Sequence, residues 1–202
     1  MPAMAPTNDT KQRILASAQE LIYSRSYSGM GVAAICAHAG VKKGSFYHFF
    51  TSKQALTLEA LDTFYINMKQ GVIDQAFVED IPPLSRLVRL AQLVYEFQKH
   101  IKDETSHILG CPFGNLASEL ATQDEQIREK IDHIFRKLQG HITEVLQKAI
   151  VAEDIHQIDV NATAQAMLAY FEGVLLLAKT RNGAEVIQQL LPAMAEIRIS
   201  QT

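Results

Sequence analysis

The segment HAGVKKGSFYHFFTSKQAL, His38 to Leu56, holds four aromatics, three lysines and two histidines within nineteen residues. On a helical wheel at about 100° per residue, Phe46, Phe49 and Phe50 gather on one side of Lys42–Phe50, with Val41 leading in. Gly44, Tyr47 and His48 fall on the opposite side, flanked by Ser45. One face is suited to a core and the other to an anion. Lys42 and Lys43 supply positive charge to phosphates or base edges. Gly44 has no side chain, so a nucleic-acid backbone can come close. Ser45, Tyr47 and His48 can donate hydrogen bonds. Lys53 stands at the start of the next helix, where an ammonium and free N–H groups can hold a phosphate.

A second place with reactive chemistry is LGCPFGNLASELA. Cys111 precedes Pro112, and proline suits the first turn of a helix. Cys111 is therefore expected at or beside a helix N-cap, where the N–H groups favour a thiolate. Such a thiol reacts with electrophiles and oxidants. Lys179, at the end of the apolar run GVLLLAK, has two readings: a lysine reaching solvent over a buried stem, or one held near the sensing site. Cys36, inside AAICAHA, reads as a small core hydrophobe. Phe97, Phe113, Met167, Tyr170 and Phe171 could line an apolar cavity for a reversible ligand, although such residues at helical spacing also build plain cores.

Charge is unevenly placed. Met1 to Lys53 carries six basic residues against two acidic ones, net +4, and the remainder carries thirteen against twenty, net −7. A basic first quarter on an acidic body suggests that the first quarter meets an anion. Two cysteines far apart in 202 residues give no disulfide scaffold, and no Cys/His cluster suggests a metal. No cofactor loop is present. The N-terminus lacks the charge and apolar stretch of a signal peptide. No apolar run is expected to reach the roughly 18 residues of a membrane span. A cytoplasmic protein without a membrane partner is expected.

The elements that must position these residues read as helices. Hydrophobic residues make up 48% and charged ones 20% of the chain, and β-branched alternation is scarce. The first helix is expected from about Asn8 to Arg25, capped by Asn8 or Asp9, with an apolar stripe of Ile14, Leu15, Ala18, Leu21 and Ile22. Short helices at VAAICAHA and KKGSFYHFF flank Gly40, a turn residue suited to a left-handed backbone. Thr51 or Ser52 can cap a helix from Lys53 to about Phe77. Longer segments follow: Pro83–Glu104, Pro112–Ala121, Asp124–Ala152, Asp159–Arg181 and Ala184–Ile199. Gly183 is the expected C-cap of the penultimate helix, and Pro192 should kink or open the last one.

Two short helices on a tight glycine turn form a helix-turn-helix candidate, whose second helix enters the major groove. The runs TKQRILASAQELI and MGVAAICAHAGVKKGSFYHFFTSKQAL resemble the N-terminal DNA-binding domain of TetR-family repressors. That resemblance implies an all-α homodimer of about nine helices per chain. Residues 1–53 would form the helix-turn-helix domain that binds a palindromic operator, and residues 54–202 a signal-sensing and dimerisation bundle. It makes Lys43, Ser45, Tyr47, His48 and Lys53 DNA-contacting positions, with Phe46 and Phe50 in the core. One departure is Gly31, where a hydroxyl residue often opens the second helix. The pair of GC at Gly110–Cys111 and LLAKTRN around Lys179 resembles the electrophile-sensing branch of that family, typified by the N-ethylmaleimide-responsive repressor. The expected activity is release of operator DNA on sensing a small molecule, with an electrophile or oxidant at Cys111 or a non-covalent apolar ligand as the trigger. A thiol-dependent enzyme is the alternative of another class. It finds no base near Cys111 in sequence other than His107.

Overall fold

The computed structural model describes residues 6–201, and among them every regular element is helical. The order is α1 (Pro6–Ser24), α2 (Val32–Ala39), α3 (Lys43–Phe49) and α4 (Lys53–Met68). A π-helical stretch, Lys69–Ile73, and the short turn α5 (Asp74–Ala76) continue α4. Then come α6 (Pro83–Thr105), α7 (Pro112–Leu120), α8 (Glu125–Val151), α9 (Val160–Arg181), α10 (Glu185–Leu190) and a 3₁₀ segment, Leu191–Glu196. With α5 taken as the end of α4, this makes nine helices among the described residues.

The chain divides into two compact units. The first comprises residues up to Ile66 together with Pro112–Ile131. Its core grows from the α1 stripe: Ile14, Leu15, Ala18, Leu21 and Ile22 are all buried. On this stripe sit α2, through Ile35, and α3, through Phe46 and Phe50, with α7 also against α1. Neither short helix would persist alone, because a helix of seven or eight residues cannot offset its nucleation cost. Gly40 ends α2 at φ 64°, and Arg13 reaches back to donate to the carbonyls of Ala39 and Gly40 at 2.6 and 3.2 Å. Ser52 accepts the N–H of Ala55 at 3.0 Å, which opens α4.

The second unit comprises Asn67–Cys111 and the chain from Asp132 onward. Here α6, α9, α10 and the 3₁₀ segment pack together. Pro83 sits in the first turn of α6, and Asp159 caps α9 by accepting the N–H of Ala162 at 2.9 Å. As expected, Pro192 marks the change from α to 3₁₀ geometry.

Four local expectations are corrected. α1 begins by Pro6, so Asn8 and Asp9 lie within its first turn and do not cap it. Phe49 is half-buried, whereas Phe46 and Phe50 are core residues. At the end of α9 the left-handed position belongs to Asn182, φ 49°, and not to Gly183. Asparagine tolerates that conformation, and its amide has other work here, described below. Finally, Val160–Arg181 does reach the length and apolarity of a membrane span, although Asn, Thr, Gln, Gly, Glu172, Lys179 and Arg181 interrupt its apolar residues. It packs on α10 and the 3₁₀ segment and carries a buried carboxyl, as the core helix of a globular bundle does.

Candidate nucleic-acid interface and sensing site

The reading face stands on α3. Phe46 has no exposed surface, packs edge-on to the Tyr47 ring at 5.2 Å and lies 5.8 Å from the Phe50 ring. With that side anchored, Lys42, Lys43, Gly44, Tyr47 and His48 are exposed, and Ser45 is half-buried. Tyr47 is 58% exposed, much for an aromatic residue. His48 is braced edge-on by Phe49 at 4.7 Å. A Cβ at Gly44 would meet nothing within 4 Å, so the fold does not require glycine there.

Lys53 has an inward task. Its ammonium donates to the carbonyls of Tyr27 and Met30, both at 3.0 Å, and lies 3.7 Å over the Tyr27 ring. Burial pulls it below the usual lysine range, opposed by the charge of Glu119. The same loop is held from its N–H side. Glu119, near the end of α7, accepts the N–H of Tyr27 at 2.9 Å and of Ser28 at 2.7 Å. Burial raises the Glu119 carboxyl, but the hydrogen bonds from Ser28 and Tyr27 outweigh it, and the group lies below its usual range. Sequence reasoning missed Glu119. A carboxylate on a polar helix face gives no local sign that it will cap a loop some ninety residues earlier.

In the second unit, the segment leading to Cys111 is lashed to two helices. The buried side chain of Gln98 on α6 donates to the Gly110 carbonyl at 2.8 Å and accepts its N–H at 3.2 Å. Asn182 accepts the N–H of Ile108 at 2.8 Å and donates to the Ser106 carbonyl at 3.1 Å. Gly110 has φ 73°, and a Cβ there would lie 3.3 Å from Lys179 Cδ and 3.6 Å from the Leu175 carbonyl. Glycine is therefore demanded twice, by backbone conformation and by the close approach of α9. Lys179 lays its stem over Gly110, next to Cys111, and partial burial lowers its ammonium from the usual range. Cys111 is 8% exposed and immediately precedes α7.

The group that meets the thiol was not anticipated. Glu172 on α9 takes a hydrogen bond from Cys111, while its Oε1 is buried with no hydrogen-bond partner. Burial pushes this carboxyl up to about 7, and the thiol bond only partly offsets the shift. Its signal in sequence was available: Glu172 is the one acid in AMLAYFEGVLLLA, an otherwise apolar stretch. His107 is exposed and paired to the Thr105 carbonyl through Nδ1 at 2.9 Å.

The residues expected to line an apolar pocket are divided between the two units. Phe97 is 47% exposed on α6, because it falls outside the buried stripe of Leu87, Leu90, Ala91, Val94, Gln98 and Ile101. Phe113 is fully buried in the first unit, and Met167 fully buried in the second. Tyr170 and Phe171 are half-buried, and the Tyr170 hydroxyl donates to the Leu190 carbonyl at 2.9 Å. Cys36 is buried, and burial raises its thiol despite the opposing charge of Lys43. It is a core residue.

Residues 14–60 match the family described as "Bacterial regulatory proteins, tetR family". Residues 84–194, more than half of the chain, match "Tetracyclin repressor-like, C-terminal domain". The chain belongs to the TetR family. It is a DNA-binding transcriptional regulator. An uncharacterized HTH-type transcriptional regulator of Lactococcus lactis is 28% identical, covering 89% of this chain and 88% of that one. The HTH-type transcriptional repressor NemR of Escherichia coli is 26% identical, covering 94% of each. The crystal structure of that repressor's reduced form superimposes with a TM-score of 0.78 over 96% of this chain and 99% of that chain. A regulatory protein TetR from Rhodobacter sphaeroides gives 0.82 over 93% and 98%, at 24% identity. At such identities the structural matches establish the shared fold.

Proposed function

We propose that this TetR-family protein is a cytoplasmic homodimeric repressor that binds a palindromic operator through α3 and releases it when a small electrophile or oxidant modifies Cys111. The observation that carries the DNA contact is the two-sided α3: a fully buried Phe46 beneath an exposed row of Lys42, Lys43, Gly44, Tyr47 and His48. Ser45 adds a hydroxyl at the edge of that row. Lys53 fixes the loop ahead of α2 and keeps one N–H for a phosphate. Residues 1–53 supply the reading surface, and residues 54–202 supply the signal and the dimer.

For the signal, the supporting observation is the position of Cys111. It sits at the head of α7, on a segment held by Gln98 and Asn182, with Lys179 over the preceding glycine. At the other end of α7, Glu119 grips the loop that precedes α2. Cys111 is therefore joined directly to a helix that belongs to the first unit. With the thiol only 8% exposed, small reagents are favoured over bulky ones. A modification shifts the operator equilibrium only if it fits one arrangement of the protein better than another.

The test is a mobility shift with the operator after exposure to hypochlorite, methylglyoxal or N-ethylmaleimide, with mass spectrometry of the protein. Wild type should gain the adduct or oxidation at Cys111 and lose DNA. Cys111→Ser should stay bound. Release by Cys111→Ser at the wild-type dose rules the covalent reading out.

A further inference from the structure

The sensing site holds one polar group that the reading above does not use. Glu172 projects from the middle of α9 toward the segment before α7 and takes a hydrogen bond from the Cys111 thiol. Its Oε1 is buried and has no hydrogen-bond partner. A charged carboxylate does not leave an oxygen bare in an apolar setting without cost. The group therefore gives up its proton only near neutral pH, and in its carboxylate form an oxygen is available to take a proton. Lys179, two turns further along α9, lays its stem over Gly110, the residue before the thiol. Gln98 and Asn182 fix the backbone that presents the sulfur. Cys111 is the titratable group facing Glu172 from outside α9, and Lys179 is the nearby cation on α9 itself.

We propose that Glu172 is the general base and acid for Cys111, so that the pair adds to small α,β-unsaturated carbonyl compounds. This rests on Cys111 being the modified residue. As the Cys111 sulfur attacks the β-carbon, a C–S bond forms and the C=C π bond breaks. The thiol proton passes to the Glu172 carboxyl and is returned to the α-carbon of the resulting enolate. The product is a thioether with Glu172 back in its starting state. The atoms balance with no oxidant and no free thiolate beforehand. A carboxyl that titrates near neutrality is well matched to both halves of that transfer.

The experiment follows alkylation of the full-length protein by 2-cyclohexen-1-one with intact-mass spectrometry between pH 5.5 and 9. The variants are Glu172→Gln and Glu172→Asp, with circular dichroism to check the fold. Wild type should level off near neutral pH. Glu172→Gln should be slower by roughly tenfold or more at pH 6.5 and should climb about tenfold per pH unit, as a thiol does when it must first ionise alone. Glu172→Asp should fall between them. An unchanged profile for a folded Glu172→Gln overturns the proposal. A second measurement needs no variant: the wild-type rate in deuterium oxide should show a normal solvent isotope effect, and an inverse one, the mark of a pre-formed thiolate, overturns it. The two readings fail separately. If Cys111→Ser still releases the operator with this reagent, the covalent reading itself falls. If Cys111 is alkylated and DNA released while Glu172→Gln matches wild type, the role of Glu172 alone falls.

Discussion

Gly44 is the residue where fold and function ask for different things. Nothing lies within 4 Å of a Cβ there, and glycine in a helix is less stable than alanine by about 0.5–1 kcal/mol. Gly44→Ala should leave the melting temperature equal or slightly raised. In the proposed interface the added methyl obstructs the approach of a phosphate, and operator affinity should fall by roughly tenfold, about 1.4 kcal/mol. Thermal melting beside a mobility shift checks both, and unchanged affinity would remove Gly44 from the interface. Glu172 makes the opposite case. Its carboxyl is pushed up to about 7, above the 4.5 of the unfolded chain. The folded protein therefore holds that proton longer, and stability declines as pH rises from about 4.5 through 7. Glu172→Gln should be more stable than wild type at pH 8, on the order of 2 kcal/mol because part of the side chain still meets solvent, with little difference at pH 4.5. Urea denaturation at the two pH values measures this.

Among the elements, α7 is the one with a task at each end. Cys111 precedes its first turn, and Glu119 near its last turn accepts two N–H groups of the Tyr27–Ser28 loop. Removing the carboxylate leaves those donors without it, at about 1–3 kcal/mol if they stay buried. In the proposed mechanism Glu119→Ala breaks the grip of α7 on that loop. Cys111 should still be alkylated at the wild-type rate, while the dose of reagent needed to release DNA rises. Equal release at equal modification would mean that α7 does not transmit the signal. The Gly110 turn has a stricter requirement, with φ 73° and α9 pressed against it. Gly110→Ala should cost about 1–3 kcal/mol and disorder the thiol's presentation to Glu172, visible as a lower urea midpoint together with slower alkylation near neutral pH and a steeper pH profile.

At the level of the whole molecule, α9 is apolar beyond what its own chain covers. Leu176 is 63% exposed, Leu177 42%, and Leu190 on α10 37%. Family members act as dimers, and such a face is where a second copy of this chain would bury its leucines. Each leucine contributes about 1.5–3 kcal/mol on burial, and a two-fold axis counts it twice. Leu176→Glu should therefore shift the protein to monomer in analytical ultracentrifugation and weaken operator binding with it, since half-sites one helical turn apart need two reading helices. A dimer of wild-type strength would place the interface elsewhere.

Much of this was legible in sequence because it is local. The apolar stripe from Ile14 to Ile22 sets α1, and Gly40, Ser52, Pro83, Asp159 and Pro192 mark boundaries through their own backbone and capping chemistry. The buried Phe46 and the exposed Lys43, Gly44, Tyr47 and His48 of α3 follow from helical spacing alone. Long-range relations do not. Which carboxylate would cap the Tyr27–Ser28 loop, that Lys53 would turn inward to the same loop, and that Glu172 would face Cys111 all depend on helices far apart in the chain coming together. The burial of the expected pocket residues was not legible either, since periodicity says that Phe97 and Phe113 lie on helices but not which side each helix buries. The amino-acid sequence by itself determined the helices, most of their boundaries and the two-sided segment at Lys42–Phe50, because those are decided within a few turns of backbone. Only the tertiary structure decided the partners of Cys111, Lys53 and Asn182, because a hydrogen bond between distant elements exists only once packing has brought its donor and acceptor within reach.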